Sequence, residues 1–193
     1  MGILIAAKNR NGICMASDSR LTTERNGVGR IEKKIFKTDR FLLGTTEFSG
    51  TVNDNPHGLI REVVQRIISR ETDLSADQFL AALYGELKGI SGTSYHFIIG
   101  YREKDPLSGS DYVLRYVKIK DGRFERNEKI YHDSILAVRG DFPVPPAVSV
   151  DPGWDLQKLG KMSRRMAGNA IGMEELFLNP DMIGEDIQSE FLT

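Results

Sequence analysis

Short apolar runs separated by turn residues fill the first quarter of the chain. Ile3–Ala7 and Ile13–Ser17 are two such runs, and the turn between them ends in an Asn-Gly pair, which is typical of a tight β-hairpin. The segment 31–37 (IEKKIFK) alternates apolar and charged residues, as a half-exposed strand does. The run 41–46 (FLLGTT) predicts one more strand, so the block up to about residue 46 is rich in strands.

The pattern then changes to the helical period. Pro56 stands where a helix begins, a position at which its missing N–H costs little. Ser75 and Gln78 have the spacing of a capping box, which predicts the start of a second helix in SADQFLAALYGEL. The apolar stripe of the first helix consists of Leu59, Ile60, Val63, Val64, Ile67 and Ile68.

Strand patterns return after the second helix. They cover 94–101, 112–119, 123–131 and 134–138. Asp121-Gly122 predicts a hairpin turn between the second and third of these, and the proline-rich segment 141–153 breaks the pattern. A helix is predicted from about Asp155 to Ile171, and 183–192 predicts one more short strand.

This order of elements indicates the fold class. Strands, two helices, strands and a helix follow one another in blocks, without strict βαβ alternation, which favours an α+β layered fold with mostly antiparallel sheets. The chain contains no internal repeat, low-complexity segment or linker. We therefore expect residues 1–193 to form a single domain.

Composition and charge exclude several functional classes. A formal net charge of −1 argues against binding to nucleic acid over a broad phosphate-neutralising surface. No run approaches the roughly 18 apolar residues that a membrane span needs, and no targeting segment is visible. The single cysteine, Cys14, excludes an internal disulfide framework and fits a reducing compartment, so a cytoplasmic location is expected.

One carboxylate and one lysine are candidates for chemistry. Asp18 follows directly on a mostly apolar strand, where it either caps a turn or pairs with a cation. Lys33 and Lys34 are adjacent on a segment predicted to be extended, so their side chains point in opposite directions. The lysine that faces inward needs a carboxylate partner.

Other potentially reactive side chains carry no recognisable motif. The three histidines, at positions 57, 96 and 132, lie far apart and have no neighbour at metal-ligand spacing. Cys14 lies among apolar residues and is interpreted as an inert core residue. Because the chain also lacks a phosphate-binding glycine loop and a Cys-x-x-Cys pair, no metal and no organic cofactor is expected.

Three segments of the chain, followed by two predicted helices, together resemble the β-type subunits of the proteasome, within the N-terminal nucleophile hydrolases. These segments are GICMASDSR, IEKKIFK and FLLGTT. The resemblance extends from about Ile3 to Ile171. It implies a four-layer αββα sandwich and, in active members, an N-terminal threonine whose hydroxyl attacks a peptide carbonyl while its free α-amine acts as base. By position, Lys34 matches the lysine that favours the ionised nucleophile, and Asp18 matches the aspartate that orients this lysine.

The nucleophile position departs from the family pattern. An ungapped count from Asp18 and Lys34 places it at Gly2, which has no hydroxyl. Removal of Met1 would therefore leave an amine base with nothing to activate. No other early Ser, Thr or Cys replaces this nucleophile without a further cleavage that the sequence does not signal.

The residues expected to support the site depart as well. By the family pattern, the backbone donor for the oxyanion falls within the segment EFSG. An ungapped count places it at Phe48, and a count with a shift places it at Gly50, with Ser49 between the two. Arg139-Gly140-Asp141 stands where the family usually has a Gly-Ser-Gly turn. MAGNAIGM, at 166–173, offers no counterpart to the late aspartate–serine pair of the family.

Three interpretations remain open on these grounds. The first is a proteasome-like β subunit that is catalytically silent because of Gly2 and acts as a structural, assembly or binding subunit. The second is an active N-terminal threonine peptidase or amidohydrolase whose nucleophile has been replaced by Gly2 in this sequence. The third is an unrelated α+β binding module. The resemblance implies a homo-oligomeric ring or assembly with related subunits and a possible peptide substrate, whereas no nucleic acid and no membrane partner is expected.

Overall fold

The computed structural model describes most of the chain. The described residues are 3–18, 20–21, 30–31, 33–49, 56–70, 73–88, 90, 92–104, 111–139, 142–144, 150–177 and 187–193. The strands are β1 Ile3–Asn9, β2 Gly12–Asp18, β3 Arg20–Leu21, β4 Arg30–Ile31, β5 Ile35–Lys37, β6 Phe41–Ser49, β7 Thr93–Arg102, β8 Tyr112–Lys120, β9 Arg123–Ile130, β10 Ser134–Arg139, β11 Phe142–Val144 and β12 Ile187–Leu192. The helices are α1 Pro56–Arg70, α2 Ala76–Leu87 and α3 Leu156–Phe177.

Two five-stranded antiparallel sheets form the centre of the described structure. The first sheet has the order β11-β10-β1-β2-β12, and the second has the order β5-β6-β7-β8-β9. β3 and β4 form a separate short pair. The N-terminal strand β1 therefore lies in the middle of the first sheet, between β10 and β2, and its neighbours hold it along its whole length.

Three apolar cores separate four layers. One core lies between the sheets and includes Leu4 and Met15 from the first sheet and Ile98 from the second. A second core joins the outer face of the second sheet to α1 and α2, and a third joins the first sheet to α3. The layers follow the order helix, sheet, sheet, helix, which is the predicted αββα sandwich.

Most predicted strands and turns are confirmed. β1 and β2 form the predicted N-terminal hairpin, and Asp121 (φ 49°) and Gly122 (φ 68°) form the two-residue turn between β8 and β9. Positive φ at both positions is the conformation that twists a tight hairpin correctly, and Asp-Gly tolerates it best.

Two strand predictions were wrong in part. The segment 31–37 is not one strand, because Lys33 and Lys34 lie outside the ladders and only Ile35–Lys37 pairs with β6. The proline-rich segment also contains a strand, since Phe142–Val144 pairs with β10. Pro143 is compatible with this position because β11 is an edge strand, where a missing N–H removes no necessary bond.

The helix starts agree with the sequence. α1 begins at Pro56, and the Ser75–Gln78 capping box is present with both of its hydrogen bonds. Asp155 accepts a hydrogen bond from the Lys158 amide at the start of α3. α3 continues to Phe177, beyond the predicted end at Ile171.

Candidate functional site

Asp18 and Lys34 form a buried ion pair where the two sheets meet. The Lys34 Nζ atom lies 2.7 Å from Asp18 Oδ2, and the two side chains are 10% and 1% exposed. Lys33 is exposed, so the predicted division between an outward and an inward lysine is confirmed. Each buried charge needs an opposite partner, and these two residues satisfy that need for each other.

The second oxygen of Asp18 binds the backbone at the beginning of β1. The Ile3 amide donates to Asp18 Oδ1 over 2.7 Å. Asp18 is held in turn because β2 lies between β1 and β12, and its backbone is opposite Ile187 in the β12 register. A single carboxylate therefore joins the lysine ammonium to the peptide unit that directly follows residue 2.

The backbone of Lys34 is fixed by one residue from each sheet. The Thr45 amide of β6 donates to the Lys34 carbonyl over 3.0 Å, and the Lys34 amide donates to Oε1 of Gln188 in β12 over 3.0 Å. Sequence reasoning missed both residues. Gln188 is 154 positions from Lys34, and its place beside the ion pair depends on the pairing of β12 with β2, so no local motif marks it.

The other predicted site residues are described only in part. Phe48 and Ser49 are the last two residues of β6, whereas Gly2 and Gly50 lie outside the described residues. In the RGD segment, Arg139 ends β10, and the two residues after it are also outside the description.

Cys14 has the properties of an inert core residue. Its side chain is fully buried among the residues between the first sheet and α3. Burial raises the pKa of the Cys14 thiol to about 12. A thiol with this pKa carries almost no reactive thiolate at neutral pH.

The buried histidine has a local partner. His96 Nδ1 lies 2.7 Å from the Tyr116 hydroxyl, and the two rings are stacked with centroids 5.9 Å apart. Within the described ranges, no group of three His, Cys, Asp or Glu side chains is placed to hold a metal ion. None of the described helices is long and apolar enough to cross a membrane.

Comparison by sequence gives no relatives. No protein-family model matches the chain, and neither does any curated protein sequence.

Comparison by structure identifies the fold. Eukaryotic HslV from Trypanosoma brucei is similar with a TM-score of 0.52 at 14% identity, over 98% of each chain. A (Gly-1) mutant of Anbu from Hyphomicrobium sp. strain MC1 gives a TM-score of 0.58 at 12% identity, over 100% of this chain and 82% of the other. Anbu, the ancestral beta-subunit, from Yersinia bercovieri gives 0.55 at 13% identity, over 98% and 80%.

These similarities confirm the resemblance to proteasome β-type subunits at the level of the fold. The chain has the αββα fold of proteasome-like N-terminal nucleophile hydrolases, built from two antiparallel sheets with helices on both outer faces. The third interpretation, an unrelated α+β binding module, required a fold other than the four-layer sandwich, and the structure has that sandwich. Activity requires a separate argument, since one fold carries many functions.

Proposed function

We propose that this chain is a proteasome-like β subunit that is silent as a peptidase because glycine occupies the nucleophile position. The observation that carries the proposal is the Asp18–Lys34 pair, whose carboxylate also accepts the amide of Ile3. Asp18 and Lys34 are the charged groups that would serve an N-terminal nucleophile. Asp18 accepts from the amide of the residue after position 2, and Lys34 binds Asp18. The sequence has Gly2 there.

The chemistry of this site needs a hydroxyl that glycine lacks. In the proposed mechanism of an active relative, the α-amine of the first residue accepts the hydroxyl proton, and the oxygen attacks the substrate carbonyl. The Lys34 ammonium would favour the developing negative charge on that oxygen, and Asp18 would keep the ammonium in place. Without the oxygen, no bond to the carbonyl carbon forms, and the pair retains only a structural and electrostatic role.

A peptide epoxyketone provides the test, because it reacts with both the hydroxyl and the amine of an N-terminal threonine. The probe is added to three proteins: the chain with Gly2, Gly2→Thr, and Gly2→Thr combined with Lys34→Met. Intact mass is measured before and after addition, and it also establishes whether Met1 has been removed. We expect no adduct on the chain with Gly2, an adduct on Gly2→Thr once Met1 is removed, and a strongly reduced rate of adduct formation in the double variant.

Two results would contradict the proposal. An adduct on the unmodified chain, or hydrolysis of a fluorogenic peptide by it, would mean that the chain is an active hydrolase. A Gly2→Thr protein with a free threonine that never reacts would mean that Asp18 and Lys34 do not form a nucleophile-activating site.

The second candidate is an active threonine peptidase or amidohydrolase whose nucleophile has been replaced by Gly2. The intact charge pair favours it, since a silent chain has no catalytic need for Lys34. Sequencing of the natural gene separates the candidates, because a threonine or serine codon at position 2 supports the enzyme and a glycine codon supports the silent subunit.

We also propose that the chain forms a homo-oligomeric ring or assembles with related subunits, in the cytoplasm. The proteasome-like fold and the resemblance to β-type subunits support assembly, and the buried, unpaired Cys14 fits a reducing compartment. A cyclic ring repeats one head-to-tail interface by rotation. Native mass spectrometry of the purified protein tests this proposal, and a protein that stays monomeric at every concentration would contradict it.

A further inference from the structure

β9 is an edge strand of the second sheet. It pairs with β8 on one side and has no partner on the other side within the described structure. All residues from 123 to 129 are exposed. The strand therefore presents a row of backbone donors and acceptors to another chain.

Two of the five charged residues along this edge form ion pairs within their own chain, and the amide of Asn127 is bonded as well. Glu125 binds Lys118, Lys129 binds Glu103, and the Arg115 guanidinium donates to Asn127 Oδ1. Arg126 and Glu128, which flank Asn127, are different: neither forms an ion pair or a hydrogen bond with the described part of the chain.

Arg126 and Glu128 also lie on the same face of the sheet. They stand opposite Lys118 and Tyr116 in β8, and Tyr116 packs in the core between the sheets. An antiparallel strand placed along β9 would meet both side chains on this face.

We propose that two copies of this chain pair through β9, antiparallel and around a two-fold axis at Asn127. In this register Asn127 lies opposite Asn127 of the second copy, and Arg126 lies opposite Glu128 of the second copy. The two-fold axis repeats the Arg126–Glu128 pair, so the interface contains it twice. Opposite charges directly across a strand pair are stabilising, and like charges are destabilising. The two unpartnered charges of each copy would thus neutralise each other in a continuous sheet of ten strands.

The chain carries a feature that limits this pairing to one register. A bulge lies at the Glu125 position, where the β8–β9 register shifts, and the ladder is regular from Arg126 to Ile130. Edges that avoid pairing usually carry charges that repel a second copy. Here the central charges alternate in sign symmetrically about Asn127, so a second copy is attracted in one alignment only.

Cysteine cross-linking tests the register. Cα atoms directly opposite in an antiparallel pair are about 4.5–5.5 Å apart, within the range that a disulfide spans. Asn127→Cys should therefore link two copies, whereas Arg123→Cys on the same exposed strand should not, because its counterpart lies about 26 Å away in this register. Cys14, the only native cysteine, is fully buried and supplies no competing thiol.

Charge exchange tests the cause. Arg126→Glu and Glu128→Arg each place like charges opposite one another twice, and each should weaken the dimer about tenfold. The double variant R126E/E128R restores opposite pairs and should return the dissociation constant to the original range. Sedimentation velocity over a concentration series gives these constants, and circular dichroism shows that all variants are folded.

The outcomes separate this proposal from the proposed function. Linking of Asn127→Cys but not Arg123→Cys, together with recovery in the double variant, supports β9 pairing whatever the epoxyketone test gives. Two cross-linking results would overturn it: an Asn127→Cys protein that does not link, or one that links equally well when Arg126→Glu is added. A double variant R126E/E128R whose dissociation constant does not recover would overturn it as well. None of these variants changes Asp18 or Lys34, so a ring formed through another interface would persist in all of them.

Discussion

The Lys34 ammonium and the Asp18 carboxylate, 2.7 Å apart, connect the two sheets of the sandwich. Asp18 is the last residue of β2 in the first sheet, and Lys34 directly precedes β5 in the second. The same contact that places charge beside the Ile3 amide therefore also holds the sheets together. Removal of either residue is therefore expected to lower the stability of the protein.

Removal of both charges is expected to destabilise the protein less than the sum of the two single removals. Lys34→Met leaves the Asp18 carboxylate buried without its cation, and Asp18→Asn leaves the ammonium without its anion. Breaking a buried pair from one side typically costs about 3–5 kcal/mol. The double variant should lose clearly less than the sum of the two single losses, as measured by the free energy of unfolding in urea.

The exposed pair of Arg40 and Asp73 is the matched control. Arg40 Nε donates to Asp73 Oδ1 over 2.5 Å, but the side chains are 51% and 81% exposed. Water and salt screen such a pair, so Arg40→Met should change the unfolding free energy far less than Lys34→Met. Equal losses in the two variants would mean that burial does not decide the strength of the Asp18–Lys34 pair.

Gln188 is expected to stabilise the protein through the backbone of Lys34. Gln188→Leu removes the acceptor of the Lys34 amide, and an unpaired donor at a partly buried site costs about 1–3 kcal/mol. Gln188→Glu keeps an oxygen in this place and should retain more of the stability. Hydrogen exchange of the Lys34 amide provides the specific measurement: it should be faster in Gln188→Leu, and unchanged exchange there would contradict this role.

One substitution should have opposite effects at two glycines. At Gly44 a Cβ atom would overlap the Leu4 side chain of the facing sheet, so Gly44→Ala should destabilise the protein by about 1–3 kcal/mol through overpacking. Gly85 in α2 has open space around it, and Gly85→Ala should stabilise it by about 0.5–1 kcal/mol. Thermal unfolding midpoints measure both, and a stabilised Gly44→Ala would show that the sheets separate more easily than the packing indicates.

Cys14 should react with thiol reagents only after unfolding. Its pKa of about 12 leaves roughly one thiolate in ten thousand at pH 8, and the thiol is shielded by the packing of α3 against β2. A disulfide reagent followed by absorbance should label the folded protein far more slowly than the protein in urea. Rapid labelling under native conditions would contradict the description of this core.

The fold was predictable from sequence where local patterns decide the structure. The N-terminal hairpin, the Asp121-Gly122 turn and the capping box at Ser75 follow from turn and cap preferences that act over a few residues. The predicted strand through Lys33 and Lys34 was wrong because alternation gives the direction of side chains but not the presence of a partner strand. The backbone of Lys34 instead bonds to Thr45 and to a side chain of β12.

The site was predictable as a pair but not as a complete arrangement. A buried lysine requires an anion, and this requirement made Asp18 and one of the two lysines at 33 and 34 candidates, whereas the resemblance selected Lys34. The Ile3 amide and Gln188 complete the arrangement through contacts set by the order of strands in the first sheet. Such contacts depend on tertiary structure and leave no pattern in the neighbouring sequence.

The pH dependence of stability should include a contribution from Glu103 on the outer face of the second sheet. Partial burial by itself raises the pKa of Glu103, but hydrogen bonds from Lys129 and Tyr131 outweigh it, and the pKa lies below its usual value. A lowered carboxyl pKa stabilises the folded state fully above the unfolded pKa, and this stabilisation is lost as the pH falls through the folded pKa.

Two substitutions separate the contributions of the two donors to Glu103. Lys129→Met removes the cation and should raise the Glu103 pKa, whereas Tyr131→Phe removes one neutral hydrogen bond and should raise it less, because charge-assisted bonds are the stronger ones. Carbon-detected NMR titration of the Glu103 carboxyl measures both shifts directly. The unfolding free energy that is lost as the pH falls should decrease in the same order, most in Lys129→Met and less in Tyr131→Phe. A larger shift in Tyr131→Phe would mean that the hydroxyl, rather than the ammonium, determines the ionisation of this carboxylate.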